Sequence, residues 1–245
     1  MELSNPITMS GHNRRGSVAI APPRPVARGA APAIRSAYRG LLRSEGKPAL
    51  SHLATSPLVA SGGVIDDPIP SGPLGERLRA LIRDVPDFPR EGVLFKDITT
   101  LLGDAEAFRT AIDGLVDAYR DAGIEVVVGV ESRGFVLGGA LAYLLGVGFV
   151  PVRKQGKLPA QTISVAYALE YGEAVLEVHA DAIRAGQRVL IVDDLLATGG
   201  TARASAELIE RLGGQVVGIA FLIELAGFGG AEALGERSHV SLIRF

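Results

Sequence analysis

The stretch Val189-Leu-Ile-Val-Asp-Asp-Leu-Leu-Ala-Thr-Gly-Gly-Thr-Ala202 decides the fold. Its four apolar residues, Val189 to Val192, predict a buried strand of a parallel sheet. Two acids and a loop of small residues follow, and apolar residues then recur at helical spacing as far as Leu212. Strand, loop and helix in this order form a βα unit, in which ligands bind beyond the carboxyl end of the strand.

The loop in this unit has the composition of a phosphate site, with glycines whose backbone can turn its N–H groups towards a ligand. The helix after it would present its positive end to an anion. The preceding acids, Asp193 and Asp194, suit sugar hydroxyls or a hard cation such as Mg2+. The predicted ligand therefore carries both a phosphate and a ribose. No Lys follows the glycines, which excludes a Walker A loop. The alternative is an ordinary tight turn with solvated acids.

Composition narrows the class of protein. The chain has 245 residues, of which 47% are hydrophobic, so a sizeable core is available in one large domain or in a medium domain with an extension. The net charge of -2 gives no reason to expect nucleic-acid binding. With no cysteine and four scattered histidines, the sequence offers no disulfide framework, thiolate metal site or Cys nucleophile. These properties favour a cytoplasmic protein. The uncharged stretch 134–152 is too rich in glycine to predict a membrane span.

Residues 1–70 differ in composition from the rest and are predicted to be a disordered extension rich in Ala, Pro and Arg. The first fifty residues contain eight Lys and Arg against two Asp and Glu. A transit peptide, a basic arm or a start codon assigned too far upstream would look the same. We expect a short helix at 31–42, and we expect that removal of the first 68 residues leaves activity intact. The folded domain is predicted to cover residues 71–245.

Within this domain, helical and strand patterns alternate, which predicts a mostly parallel doubly wound sheet. A β-ribbon between residues 162 and 178 is predicted to project over that sheet. The predicted helices run over 74–82, from an N-cap at Asp104 to Tyr119, and from residue 134 to about Leu145. The other predicted strands cover 125–130, 147–152, 216–223 and 240–243.

Two further segments carry charged groups at predicted strand ends. Glu131-Ser132-Arg133-Gly134 offers amides, a hydroxyl and a guanidinium, a set that suits a diphosphate. Its alternative is a helix start with a solvated arginine. Arg153, Lys154 and Lys157 place three cations in five residues, and a run of this kind is usually a solvated face.

These segments together resemble the type I phosphoribosyltransferases, and in particular the adenine phosphoribosyltransferase family, over roughly residues 73–245. The resemblance is carried by Asp193 to Thr201 and by four other stretches in the same order. They are Phe88-Pro89…Gly92-Val-Leu-Phe-Lys-Asp-Ile98, Glu131-Ser-Arg-Gly-Phe135, Arg153-Lys-x-Gly-Lys-Leu-Pro159 and Tyr167-x-Leu-Glu-Tyr-Gly172. Two departures, Ala160 for glycine and Ala166 for a polar residue, touch no charged group.

The resemblance implies an enzyme, a pentosyltransferase that binds 5-phosphoribosyl 1-diphosphate. Its 5′-phosphate would lie against the loop, and its ribose against the two acids. Arg133 would take part in catalysis, with the residues around it at the diphosphate. The implied binding set is Asp193, Asp194, Ala197, Thr198, Gly199, Gly200, Thr201, Glu131, Ser132, Arg133, Arg153, Lys154 and Lys157. Mg2+ would be held mainly through substrate oxygens near the acids, with no dedicated protein cage.

The resemblance also implies a small hood over the base, and roles for residues in and near it. Phe95 would stack on adenine, the Leu94 backbone would read the edge of the base, and Lys96 stands where members often have arginine. Leu225 would wall the same pocket. Glu170 is the candidate general acid/base, and Tyr171 would close the flexible loop; Glu170→Gln is expected to lower kcat much more than it changes KM.

The implied reaction converts adenine and 5-phosphoribosyl 1-diphosphate to AMP and diphosphate, as in purine salvage. The implied assembly is a homodimer, with no nucleic acid or membrane as partner. Three alternatives stay open: the same fold acting on another nucleobase, a non-catalytic regulator that senses phosphoribosyl diphosphate, and a phosphoribosyl-diphosphate synthase. The regulator would need a nucleic-acid-binding module, and the synthase a site for ATP; the sequence shows neither.

Overall fold

The computed structural model describes residues 73–168 and 173–245. The expected extension over 1–70, the helix at 31–42 and the loop residues Glu170 and Tyr171 lie outside these ranges. No helix within the two ranges is both long and apolar enough to cross a membrane.

A seven-stranded sheet forms the centre of the described chain. Its strands are β3 (Val126–Val130), β4 (Gly148–Lys154), β5 (Thr162–Ala168), β6 (Glu173–His179), β7 (Arg188–Leu196), β8 (Gln215–Glu224) and β9 (His239–Arg244). The order across the sheet is β5-β6-β4-β3-β7-β8-β9. The five strands from β4 to β9 in this order run parallel, whereas β6 pairs antiparallel with both β4 and β5. The mostly parallel sheet is confirmed. The ribbon was predicted to project over the sheet, but it extends one edge of it, because β6 pairs with the end of β4.

Helices cover both faces of this sheet. They are α1 (Pro73–Ala80), α2 (Thr99–Gly103), α3 (Ala105–Tyr119), α4 (Gly134–Leu145), α5 (Gly200–Arg211) and α6 (Gly230–Leu234), with a 3-10 turn at Ala226–Phe228. Successive residues of β7 point to opposite faces, so Leu190 and Val192 pack in one core with α3 and α4, and Val189 and Ile191 pack in the other with α5. The alternation of burial is the physical basis of the doubly wound arrangement.

The predicted helix start at Asp104 is confirmed, because its carboxylate accepts hydrogen bonds from the backbone N–H groups of Glu106 and Ala107. Other boundaries were wrong by a few residues. β7 continues to Leu196 instead of ending at Val192, so both acids lie within the strand. The reason is that β8 pairs with it as far as Glu224. β4 likewise continues to Lys154 because β6 pairs with its last two residues.

The resemblance implied a small hood, but the two strands that form it as a second sheet were not predicted. β1 (Arg83–Val85) and β2 (Phe95–Asp97) pair antiparallel, with Val85 opposite Phe95 and Asp84 opposite Lys96. We call these two strands the hood. Ile98, directly after β2, is fully buried in the core shared with α3 and α4. The hood is therefore attached to the core at one end of β2.

Candidate active site

The small-residue loop after β7 leads directly into α5. Gly199 caps this helix with a positive φ of 78°, and the helix begins at Gly200 rather than at Ala202. A Cβ on Gly199 would lie 2.9 Å from the carbonyl oxygen of Gly230, so the loop is closed against α6 by a contact that only glycine permits. The first turn of α5 thus presents unsatisfied backbone N–H groups at the end of β7, as a phosphate site requires.

The two acids before this loop are both buried. Asp193 is 8% exposed and Asp194 is 6% exposed. The backbone N–H of Asp194 donates to Oδ1 of Asp193 at 2.9 Å. Burial, followed by the charge of Asp194, raises the pKa of Asp193 well above its ordinary value. Burial also raises the pKa of Asp194, against the opposing effect of Arg133.

Arg133 connects the segment 131–134 with these acids. Its Nη2 lies 2.9 Å from Oδ2 of Asp194. The contact is an ion pair rather than an aligned hydrogen bond, because Oδ2 of Asp194 accepts no hydrogen bond from the described residues. Gly134 follows Arg133 and permits this approach, since a Cβ on it would lie 2.7 Å from the carbonyl oxygen of Val192. The segments 131–134 and 193–201, separate in sequence, form one site.

Glu131 holds the basic segment at the end of β4. Its carboxylate accepts hydrogen bonds from Nε and Nη2 of Arg153 at 3.2 and 3.1 Å, and from the backbone N–H of Lys154 at 3.1 Å. The Arg153 guanidinium and these bonds lower the pKa of Glu131. The peptide bond between Glu131 and Ser132 is cis, and Ser132 is exposed. The carboxylate of Glu131 therefore contacts Arg153 and Lys154, and the ligand role predicted for it from sequence stays a prediction.

The two lysines of the basic segment, Lys154 and Lys157, are exposed, and neither ammonium forms an ion pair within residues 73–168 and 173–245. The backbone of their segment is held by Glu177 on β6. Oε1 of Glu177 accepts the backbone N–H groups of Lys157 and Leu158, each at 3.0 Å. Although burial acts in the opposite direction, backbone hydrogen bonds lower the pKa of Glu177. The basic segment therefore has a fixed backbone and two exposed cations.

A cavity of about 410 Å³ opens between the hood and this charged site. Its lining consists of Val85, Phe88, Phe95, Asp97, Thr99 and Arg133. The ring of Phe95 packs edge-on against Phe88 with centroids 5.1 Å apart, and the guanidinium carbon of Arg133 lies 5.0 Å from the centroid of Phe95. A planar apolar ligand fits such a wall. Arg133 belongs both to the cavity and to the acid pair.

The structure places the other predicted base-site residues differently. Leu94 precedes β2 and is 52% exposed, and Leu225 follows β8 and packs against the core of α3 and α4. The side chain of Lys96 forms an ion pair with Asp84, with Nζ 2.6 Å from Oδ1. None of these three residues is among those that line the cavity.

Sequence reasoning missed several residues of the site. Asp97 and Thr99 line the cavity, and the Asp97 carboxylate accepts hydrogen bonds from the backbone N–H and hydroxyl of Thr99, which lower its pKa. Asp-x-Thr before a helix is the signal that indicates such a turn. No role was predicted for Tyr167, although it lies in the stretch 167–172; the hydroxyl of Thr201 donates to its OH at 3.2 Å, which joins the ribbon to the loop after β7. No sequence pattern indicated the position of Glu177.

Within the same ranges, no group of three or more His, Cys, Asp or Glu side chains is arranged to hold a metal ion. The adjacent carboxylates of Asp193 and Asp194 are hard oxygen ligands of the kind Mg2+ takes in small number alongside substrate oxygens. Oδ2 of Asp194 accepts no hydrogen bond from the described residues, and Arg133 already supplies positive charge to it at 2.9 Å. The donor set therefore fits a cation shared with a bound phosphate, and does not form a separate metal cage.

Comparisons with known proteins identify the family. The family model described as "Phosphoribosyl transferase domain" matches residues 100–239. The adenine phosphoribosyltransferase of Dinoroseobacter shibae is 59% identical over 159 residues, which are 65% of this chain and 89% of that protein.

Solved structures give the same result. The adenine phosphoribosyltransferase of Thermoanaerobacter pseudethanolicus aligns with a TM-score of 0.68 at 53% identity, over 70% of this chain and 99% of that one. The enzyme of Saccharomyces cerevisiae, complexed with an imino-altritol bisphosphate and adenine, aligns with a TM-score of 0.66 at 40% identity, over 69% of this chain and 98% of that one.

Proposed function

This chain belongs to the adenine phosphoribosyltransferase family, and on that basis we propose that it converts adenine and 5-phosphoribosyl 1-diphosphate to AMP and diphosphate. The observation that carries the proposal is the position of Arg133. Its guanidinium lies 2.9 Å from a buried acid at the predicted sugar site and 5.0 Å from an aromatic ring in the cavity. A sugar on the acids and a base in the cavity would meet at this side chain.

The sugar phosphate would bind along the end of β7 and the start of α5. The N–H groups from Ala197 to Thr201 suit the 5′-phosphate, and the carboxylates of Asp193 and Asp194 suit the ribose hydroxyls. Hydroxyl donors on these carboxylates would compensate for their burial. The activated sugar is thereby oriented before the base arrives.

The base would occupy the cavity under the hood. Stacking on Phe95 supplies attraction that is independent of hydrogen bonds, and the Leu94 backbone would read the base edge. Because Arg133 covers the ring of Phe95 in the structure, a purine stacked on that ring would have to displace the guanidinium. We assign Leu225 to the surroundings of the base site rather than to the cavity lining, because its backbone N–H donates to the carbonyl oxygen of Leu196, two residues after Asp194.

The diphosphate would leave across the segments 131–134 and 153–157. Arg133, Arg153, Lys154 and Lys157 supply positive charge, while Glu131 and Glu177 hold the backbone that carries two of them. Charge fixed where the leaving group develops its own charge is the largest expected contribution to rate. Mg2+, held beside Asp193 and Asp194 through substrate oxygens, would supply further positive charge to the diphosphate.

In the reaction, the bond between C1′ of ribose and the diphosphate oxygen breaks through an oxocarbenium-like state. A ring nitrogen of adenine forms the new bond to C1′ and loses its proton. We assign that proton transfer to Glu170, and closure over the substrates to Tyr171, both outside the described residues. Closure matters because water competes with the base for the activated sugar.

The direct test is AMP formation from adenine and phosphoribosyl diphosphate by the purified full chain, with and without Mg2+. We expect magnesium-dependent AMP and stoichiometric diphosphate. Parallel assays with hypoxanthine, xanthine and a pyrimidine separate this activity from a transferase for another base. Binding of phosphoribosyl diphosphate with no product from any base would instead indicate a sensor and refute the proposal.

We also propose a homodimer formed through the outer face of α4. Val136, Tyr143 and Leu144 occupy positions i, i+7 and i+8 of this helix, so they share one face, and they are 48%, 75% and 49% exposed. A continuous apolar face of this kind is typical of an interface. Sedimentation of the wild type is expected to give a dimer, and Tyr143→Glu a monomer; a monomeric wild type would refute it.

We place the reaction in the cytoplasm. Its sugar substrate is multiply charged and does not cross a membrane unaided. Fractionation of cells that express the full chain would test the location, and recovery of the activity outside the cytoplasmic fraction would contradict it.

A further inference from the structure

Phe245, directly after β9, touches the hood from the side away from the cavity. Nζ of Lys96 lies 4.1 Å from the centroid of the Phe245 ring, within the range of a cation–π interaction. The same ammonium is 2.6 Å from Oδ1 of Asp84 on the neighbouring strand. The Lys96 side chain is only 10% exposed, so the charge is held between a carboxylate and an aromatic face.

The backbone of Phe245 is fixed independently of the hood. Its N–H donates to the carbonyl oxygen of Glu224 at 2.9 Å, and its carbonyl oxygen accepts the N–H of Ala226 at 3.0 Å. Both partners belong to the end of β8 and the turn after it. The ring is therefore carried by the central sheet, and the contact with Lys96 joins that sheet to the hood.

The hood needs an external attachment of this kind. A two-stranded sheet of three-residue strands is not stable by itself. Ile98 fixes the end of β2 in the core, but Phe95 lies three residues before it. Successive side chains of a strand point to opposite faces, so when the ring of Phe95 faces the cavity, Lys96 faces away from it. The position of Lys96 then determines how β2 presents the Phe95 ring.

We propose that Phe245 and Lys96 are positioning residues that hold Phe95 in place for the base. We call their cation–π contact the brace, and the Lys96 side chain acts through it rather than by contact with adenine. The inference rests on the proposed function and deepens it. It replaces the direct base-binding role predicted for Lys96 from sequence. The brace sets affinity for the base without touching the sugar phosphate, so its loss separates the two substrates kinetically.

The test measures KM for adenine and for phosphoribosyl diphosphate in substituted full-length chains. Phe245→Ala is expected to raise KM for adenine about three- to tenfold and to change KM for phosphoribosyl diphosphate less than about twofold. Phe245→Tyr keeps an aromatic face and is expected to retain the wild-type value. Phe245→Leu keeps apolar bulk but no π face and is expected to behave like Phe245→Ala; rescue by leucine would mean packing alone and overturn the proposal.

Substitutions at the cation complete the test. Lys96→Met is expected to raise KM for adenine as Phe245→Ala does, with little further increase in the double variant, whereas Lys96→Arg retains the brace. If Lys96→Met raises KM and Phe245→Ala does not, Lys96 contacts the base directly and the brace is refuted. Arg79 is the matched control: its guanidinium carbon lies 5.0 Å from the same ring but on α1, so Arg79→Met is expected to leave KM for adenine nearly unchanged.

The wild-type assay distinguishes failure of the proposed function from failure of the brace. A wild type that makes no AMP from adenine refutes the proposed function. An active wild type with an unchanged Phe245→Ala variant refutes only the brace. Thermal unfolding of each variant identifies general destabilisation, which would raise both KM values together and would also count against the brace.

Discussion

The two ends of the candidate site are built in different ways. The sugar end consists of the core strand β7 and the start of α5, with buried acids and glycines packed against neighbouring backbone. The base end consists of a small sheet attached at its edge, with Phe88 and Leu94 each about half exposed. The first region is fixed by the same packing that stabilises the fold, whereas the second depends on a few side-chain contacts. The difference predicts that substitutions at the sugar end affect stability and the kinetics with both substrates, whereas those at the base end affect mainly KM for adenine.

The largest effect is expected at Asp193. Asp193→Asn removes the carboxylate charge that strengthens hydrogen bonds from the ribose hydroxyls. It is expected to lower kcat/KM for phosphoribosyl diphosphate at least about 100-fold. Steady-state kinetics with the sugar phosphate varied would measure it. A fall of less than about threefold would show that the acid pair does not bind the sugar.

Although Asp193→Asn is expected to lower activity, it is expected to raise the stability of the folded chain. Because the folded-state pKa of Asp193 is raised, its ionisation disfavours the folded chain, and stability is lost as pH rises through that pKa. Below about pH 3, where the carboxyl is protonated even in the unfolded chain, the wild type and Asp193→Asn should unfold alike. At higher pH the variant should become the more stable, by a margin that grows until the folded-state pKa of Asp193 is passed. Thermal unfolding without ligand across this range would test it, and a constant margin would contradict it.

A smaller effect, still on both substrates, is expected at Gly134. An alanine Cβ there would meet the Val192 carbonyl oxygen at 2.7 Å and Oδ1 of Asp193 at 3.0 Å, which forces the segments 131–134 and 193–201 apart. Gly134→Ala is expected to lower kcat/KM for both substrates by about tenfold or more. The control is Gly103→Ala on α2, where a Cβ meets nothing within 4 Å and kinetics should not change. Equal kinetics in the two variants would mean that the close approach has no role.

A selective effect is expected at the base end. Phe95→Ala removes the stacking surface and should raise KM for adenine about tenfold, with little change in KM for phosphoribosyl diphosphate. This result would sharpen the contrast between the two ends. If KM for the sugar phosphate rose equally, the hood would be part of the sugar site and the contrast would fail.

The smallest effect is expected where the ribbon meets the phosphate loop. Tyr167→Phe removes one hydrogen bond of 3.2 Å from Thr201 and leaves the ring in place. We expect a change of about two- to fivefold in KM for phosphoribosyl diphosphate, measured beside the wild type. An effect as large as that of Asp193→Asn would show that the ribbon, rather than the core strand, controls the sugar end.

The sequence predicted the local structure of the sugar end, its strand, loop and helix, much better than that of the base end, for a physical reason. The four apolar residues, two acids and glycine loop of 189–201 act locally, so strand, loop and helix could be inferred in order. The extent of β7 could not, because it depends on β8 pairing as far as Glu224. Spacing likewise gave no sign that Glu177 would support the backbone of Lys157, a contact between residues 20 apart in the chain.

The hood shows the limit of local patterns most clearly. Three-residue strands have no detectable alternation, so β1 and β2 could not be predicted from the residue pattern. The family resemblance indicated that Phe95 faces the base, and Phe95 does line the cavity. It gave no indication that Lys96 would contact Asp84 and Phe245, since those contacts join residues 12 and 149 positions away.

Arg133 has a consequence for how such an enzyme can diverge. One guanidinium balances a buried acid of the sugar end and rests on the ring of Phe95, so the two ends share one side chain. A lineage that reshapes the hood for a different base must leave the ion pair of that guanidinium with Asp194 in place, because this ion pair belongs to the sugar end. New base preference is therefore expected to arise first at positions such as Val85 and Phe88, which border the cavity without touching the acids.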